Sequence, residues 1–344
     1  MNLVEFFNSG AAALPRTRNG NDFLRFLRQM MQDYITVVVS LDPKCPIGSR
    51  ILGEAPNINQ LAEDVVIAVE AHLNGKPDEA RKRIRAALNF VSGRLSGMLS
   101  LNVPPGQMQR LFRVSELKPG DTLSRERLFH VPFHMLAIAN SRRYSLPGYA
   151  CLYFGGSLRV CMRECDADAA KLPSMAIAEF APRKPVKFLD FGYRPSVIAT
   201  LARARLLSPS TANPDADDLL VNYAVCWPLI AASSVLREPG NPPPEYIVPQ
   251  LILEWLVAGN QCKGIRYFST RVPADNTEIR SCSNFAFPAR NLTNSTHGHC
   301  QELKDLFTLT MPILWQSVTN GVDVHVEFTA NEQTLGAMPK MQIP

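Results

Sequence analysis

Three side chains able to act on one ligand stand in Ser157-Leu-Arg-Val-Cys161-Met-Arg-Glu164. Ser157, Cys161 and Glu164 fall at i, i+4 and i+7, so a helix starting there places them on one face. The preceding Cys151-Leu-Tyr-Phe154 suits a short strand covered on both faces. Gly155 and Gly156 then let the backbone turn sharply and approach a ligand closely. Ser157 is a good N-cap, and the free N–H groups of a new helix favour an anion such as phosphate. On this reading Glu164 lies beneath the cleft that the turn opens. The alternative is an ordinary βα unit with a surface glutamate.

Composition limits what this site can belong to. The chain has 344 residues, 46% apolar and 19% charged, which indicates a folded protein with a substantial core. A net charge of +5 permits an anionic ligand without demanding nucleic acid. No long uncharged apolar run suggests a membrane span. The N-terminal Met-Asn-Leu-Val-Glu-Phe-Phe lacks the basic flank and cleavage site of a secretory leader. Eight scattered cysteines without a C-x-x-C pair read as reduced thiols, so a cytoplasmic location is expected.

The elements around the site change character along the chain. Residues 1–104 read as a helical domain. Phe23, Leu27, Met30 and Tyr34 share one helix face. A second helix from about Asn59 carries Leu61, Val65, Ala68 and His72, with Gly75 as its stop. A third follows Pro77, with Ile84, Leu88, Val91, Leu95 and Met98 inward. Arg81, Lys82, Arg83, Arg85 and Arg94 face outward, as a solvated face or a patch for an acidic partner. Val37 to Gly48 reads as a short strand or an apolar loop. Asn102-Val-Pro-Pro-Gly106 ends the helical pattern and marks the boundary. Residues 105–344 read as a domain of strands and helices. Gln109–Val114, Val186–Asp190, Gly264–Thr270 and the alternating Val322–Phe328 are expected strands. Leu128–Phe133 is a further apolar segment. Helices are expected from Asp217 to about Leu236 and from Gln250 to Ala258.

Other chemistry finds little support. Walker A, G-x-G-x-x-G and G-x-S-x-G patterns are absent. His130 and His134 stand four apart, but Pro132 between them spoils a metal-binding helix. Thr296-His-Gly-His-Cys300 crowds its ligand-type residues too closely for a usual zinc site and reads as a polar loop. No metal is expected.

Six segments occur in a telling order: Phe112-Arg113, Arg143-Tyr-Ser-Leu-Pro-Gly148, Leu152-Tyr-Phe-Gly-Gly-Ser157, Cys161-Met-Arg-Glu164, Tyr246-Ile-Val-Pro-Gln250 and Gly264-Ile-Arg-Tyr-Phe-Ser269. Together they resemble the RES-domain family over about residues 109–290. The N-terminal part is more loosely similar to the HEPN-like helical domains that precede some RES domains. HEPN ribonucleases place an arginine shortly before a histidine, and His72 has no such partner, so RNA cleavage is not expected.

The resemblance implies an α+β fold, with a RES / ADP-ribosyltransferase-like mixed-sheet domain behind an all-helical domain. It implies NAD as substrate, cleaved between nicotinamide and ribose by a glycohydrolase or phosphorylase. Glu164 would stabilise the ribose cation, with Tyr153 and Arg113 as its catalytic companions. Arg143, Ser157, Gly155, Gly156, Ser269 and His130 would bind substrate. Arg113 and Arg143 match the family's arginines, though Arg142 competes with Arg143 because the family's preceding glycine is missing. The serine that some members carry beside the glutamine of the Tyr…Gln segment is absent from Tyr246–Gln250. Either Ser269 supplies the hydroxyl, or that role is lost. A toxin or phage-defence role with an antitoxin or regulatory partner is what the resemblance suggests. Oligomer formation is compatible with it. The rival readings are an ADP-ribosyltransferase acting on a macromolecule and a catalytically silent nucleotide-binding module.

Overall fold

The computed structural model describes all residues except 19, 21, 104–109, 208–212, 237–242, 260–261, 273–281, 291–297, 317–323 and 344. The fold is α+β. Two compact units are present. One comprises Met1–Leu99 with Leu189–Ala258, the other Ser100–Phe188 with Gly259–Pro344. The contiguous division at 104/105 expected from sequence therefore differs from the observed one. The first unit also takes in Leu189–Ala258, whose long apolar helix belongs to its core.

The first unit is helical. Its helices are Leu3–Asn8, Phe23–Val38, Pro46–Gly53, Ala55–Leu73, Pro77–Phe90, Ser92–Ser96, Pro195–Leu207, Pro214–Ser233 and Ile247–Ala258. Asp22 caps the second of these by accepting from the Arg25 N–H, and Phe23, Leu27, Met30 and Tyr34 form its buried stripe as expected. The segment 37–48 is neither strand nor plain loop: Val38 closes one helix, and Pro46 opens another at a position where a missing N–H costs nothing. Three arginines of the expected outward row are paired within the unit. Arg81 meets Asp78 and Glu254, Arg83 meets Asp64, and Arg94 meets Glu54. This leaves less free positive charge for an acidic partner than the sequence suggested.

Pro214–Ser233 is buried on all sides from Leu220 to Ser233, as its uniformly apolar sequence requires. Pro228 lies inside it and has no N–H for the carbonyl four residues back, that of Ala224. The Tyr34 hydroxyl takes that carbonyl instead, donating at 2.8 Å, while the Tyr34 ring stacks on Trp227 at 3.8 Å. Tyr34→Phe would keep the stack and orphan the carbonyl. It is expected to cost about 1–3 kcal/mol, measured by thermal melting; an unchanged melt would show that another donor reaches Ala224.

The second unit is built on a sheet whose strands are β1 (Leu99–Val103), β2 (Leu111–Glu116), β3 (Cys151–Gly155), β4 (Met175–Pro182), β5 (Val186–Phe191), β6 (Gly264–Phe268), β7 (Ser283–Pro288), β8 (Phe307–Thr310), β9 (Ile313–Leu314) and β10 (Lys340–Met341). Their order is β1-β5-β6-β7-β3-β2-β4-β8-β10, with β9 also on β4. From β6 to β10 each neighbouring pair is antiparallel. Period-2 alternation gives the sheet two apolar faces. Leu111, Leu152, Phe154, Ala178, Phe180, Phe285 and Phe287 line one. Phe112, Val114 and Ile177 line the other, covered by Leu158, Cys161 and Met162 of the Leu158–Glu164 helix and by Leu335 of the Val324–Ala337 helix.

Two expectations need correction here. The segment Val322–Phe328 is not a strand: from Val324 onward it is helical, and 322–323 lie outside the described residues. Phe328 and Leu335, two turns apart on one face of that helix, pack against one core, which outweighs the short alternation. The helical pattern ends at Ser96 rather than at the Pro-Pro pair, because Leu99–Val103 is β1; residues 104–106 of that boundary lie outside the described set. The apolar segment Leu128–Phe133 buries Leu128 and Phe129 without forming a strand or helix over them. Among the described residues no helix is long and apolar enough to cross a membrane.

Candidate active site

The strand, turn and helix at 151–164 form as the residue types require. Gly155 is obligatory: a Cβ there would stand 2.6 Å from Cys161 Sγ. This allows the helix to lie close on the sheet. Ser157 caps the helix, accepting from the Val160 N–H at 3.3 Å. The donors that the sequence offered to phosphate are engaged within the unit. Gly156 N–H donates to the Ser283 carbonyl at 2.7 Å, and Leu158 N–H donates to Glu332 Oε1 at 2.9 Å. A side-chain carboxylate thus stands where a phosphate was expected.

Glu164 ends the helix and reaches back over the sheet, half-buried. Its Oε1 accepts from Ser269 Oγ and from Asn284 Nδ2, each at 2.7 Å. Its Oε2 lies 3.6 Å from Arg271 Nε, and Arg271 also pairs with Asp166. Strand register explains the convergence. Gly155 is opposite Asn284 on one side, and Tyr267 is opposite Asn284 on the other, so all three share a sheet face. That is the face covered by the Leu158–Glu164 helix. Ser269, just beyond β6, is held by its N–H bond to the Cys282 carbonyl at 2.9 Å.

Tyrosines and arginines border this carboxylate. Tyr144 and Tyr267 pack at 4.6 Å between ring centroids. Burial, and then the negative charge of Glu164, push the Tyr267 hydroxyl well above its ordinary range. The Tyr153 hydroxyl is buried beside Ser145, and burial raises it likewise. Both phenols therefore stay protonated at neutral pH. Arg143 reaches Thr270 Oγ1 at 3.5 Å and lies near Tyr267, whereas Arg142 lies near Tyr153. The two candidates for the second arginine thus lie beside different tyrosines.

Arg113 does not join them. It alternates with Phe112 and Val114 and is paired with Ala178, so its backbone position faces away from the Leu158–Glu164 helix, while the charge of its guanidinium is felt at Cys165, the residue after Glu164. Its half-buried guanidinium donates to the backbone carbonyls of Tyr153 at 3.0 Å and Phe129 at 3.2 Å. Burial lowers its proton affinity. These bonds make Arg113 a brace between a loop and β3. His130 is likewise internal. Its Nδ1 donates to the Val131 carbonyl at 2.7 Å, and its Nε2 accepts from the Cys300 N–H at 2.8 Å. Both ring nitrogens are used, and only the neutral ring can make both bonds. Of the described part of the Thr296–Cys300 loop, Cys300 is buried and meets His130, while Gly298 is exposed; 296 and 297 lie outside the described residues.

A pH effect follows from His130. Burial pulls its pKa down to about 3. An unfolded histidine titrates near 6.5, so in the window from about 6.5 down to about 3 the unfolded chain takes up a proton that the folded chain does not. The stability it contributes is complete above that window and falls by about 1.4 kcal/mol per pH unit within it. His130→Gln is expected to be less stable at neutral pH and to show a shallower decline in melting temperature toward pH 5. A variant with the wild-type decline would contradict this assignment.

Two members of the site were not foreseen, Asn284 and Arg271. In Ser283-Asn-Phe-Ala-Phe-Pro288 the asparagine reads as an interruption of a buried strand. A buried amide in such a strand is itself a signal, because it requires a partner. Arg271 follows the strand end and carried no pattern of its own.

No family model matches the chain, and no solved structure matches it. The chain is similar to the protein named "Putative toxin YopC" of Bacillus subtilis (strain 168), with 24% identity over 325 residues, covering 90% of this chain and 70% of that protein. The likeness to a toxin-like protein thus spans both units.

Proposed function

We propose that the sheet unit degrades NAD by cleaving the bond between nicotinamide and ribose, and that the chain acts as a toxin or phage-defence effector restrained by an antitoxin or regulatory protein. The observation that carries this reading is the single carboxylate of Glu164, half-open and held by neutral donors from two strands beside a pair of tyrosines. Nicotinamide in NAD is already cationic and departs neutral, so the reaction needs no acid on the leaving group. Ordinary glycosidases need two carboxylates; here one anion facing the developing ribose cation suffices. The resemblance to RES domains and the likeness to a toxin point the same way.

The structure changes which groups would meet the diphosphate. Arg113 is engaged by two backbone carbonyls, and Glu332 already occupies the helix start. Arg143 and Arg271 are the guanidinium groups near Glu164 and Tyr267. They supply charge-assisted bonds to phosphate oxygens. Ser269 is the hydroxyl at the carboxylate, so the role missing from Tyr246–Gln250 falls to it.

Separation of the products tests the reading. The full chain incubated with NAD is expected to yield free nicotinamide, with free ADP-ribose in plain buffer or its 1-phosphate in phosphate buffer. ADP-ribose attached to protein would instead identify a transferase. Intact NAD would overturn the proposal.

A further inference from the structure

We propose that Asn284 is a positioning residue for Glu164: with Ser269 it fixes Oε1 of the carboxylate, so that Oε2 is the oxygen turned toward the ligand. Only the activity arm of its test rests on the glycosidic reading above.

Asn284 is 5% exposed. Its backbone is pinned on both sides, by pairing with Gly155 of β3 and with Tyr267 of β6. The Nδ2 group therefore projects from a fixed point, 2.7 Å from Oε1. Ser269 Oγ meets the same oxygen at the same distance from the neighbouring strand end. An ionised carboxylate only accepts, which sets the amide with its nitrogen toward Glu164. A buried asparagine inside an apolar strand destabilises the fold unless its amide is bonded, and this bond answers that requirement. The glutamate side chain is otherwise long and free to rotate at a helix end. Two converging donors leave it one orientation.

The charged and titratable groups around the carboxylate come from each packed element. Arg271 follows β6, Tyr267 is on β6, Cys165 is the next residue of the helix end, and Asp166 binds Arg271 in turn. Arg143 stands beside Tyr267, and Arg142 is near Cys165. Removal of the Asn284 donor takes away one of the two bonds to Oε1.

The test measures the carboxyl group directly. A 13C NMR titration of the Glu164 carboxyl carbon in the full chain, assigned by its loss in Glu164→Gln, gives its midpoint without requiring turnover. In Asn284→Ala the midpoint is expected to rise by about one pH unit. In Asn284→Asp, which keeps the shape and adds a like charge, it rises further. Should the alanine variant not fold, the near-isosteric aspartate variant carries the measurement. Nicotinamide release from NAD then adds a second arm. The acid limb of kcat moves up with the midpoint, kcat at neutral pH falls about tenfold, and KM stays within about twofold. A folded Asn284→Ala protein with the wild-type carboxyl midpoint would overturn the inference. A wild-type chain that releases no nicotinamide would overturn the proposed reaction, and the midpoint would still decide the role of Asn284.

Discussion

Glu164→Gln is expected to slow nicotinamide release from NAD by about a hundred- to a thousandfold, equivalent to about 3–4 kcal/mol of transition-state stabilisation. The amide has nearly the shape of the carboxylate but lacks its full charge. That charge matters most when the ribose becomes cationic, as nicotinamide departs. In the ground state the positive charge is spread over the nicotinamide ring, so NAD affinity should change little. Stability should also change little, because the carboxylate is partly open and its closest cation is 3.6 Å away. The competing account makes Glu164 a structural partner of Arg271. It predicts a lower melting temperature and an unchanged rate per folded molecule. Turnover, NAD titration and thermal melts on the same variant separate the two accounts.

Arg113→Ala is expected to act on stability and to spare the reaction. The guanidinium donates to two backbone carbonyls inside the sheet unit. Truncation leaves those carbonyls short of a donor and opens a hole the size of the side chain. Relief from burying an unpaired cation offsets part of that loss. The remainder is about 2–4 kcal/mol, and the melting temperature should drop by several degrees. Arg113→Met fills much of the space and should recover part of the difference. NAD affinity of the folded variant should match the wild type, because the Arg113 guanidinium is engaged by two backbone carbonyls. A variant with normal melting and weakened NAD binding would restore Arg113 to the ligand.

The Glu164 region was legible in sequence because local rules govern it. Two glycines, a capping serine and i, i+4, i+7 spacing are sufficient to specify strand, turn and helix. Strand alternation around Arg113 was equally visible. Which of its two faces the Leu158–Glu164 helix would cover was not, since that depends on β3 pairing with β7. Asn284 reaches Glu164 only through the same long-range pairing. Val322–Phe328 misled in the opposite direction. Its alternation fits a strand over seven residues, but the partly buried Phe328 and the buried Leu335 are spaced two helical turns apart. The long helix Pro214–Ser233 was legible as an element. Its place in the helical unit was not, because a uniformly apolar helix shows only that it is buried, not where.

The most direct test of the central claim follows nicotinamide while the full chain acts on NAD, with Glu164→Gln alongside. One free nicotinamide for each NAD consumed by the wild type, and a rate about a hundredfold lower or less in the variant, is the predicted result. NAD left intact by the wild type, or equal rates from both proteins, would contradict the account.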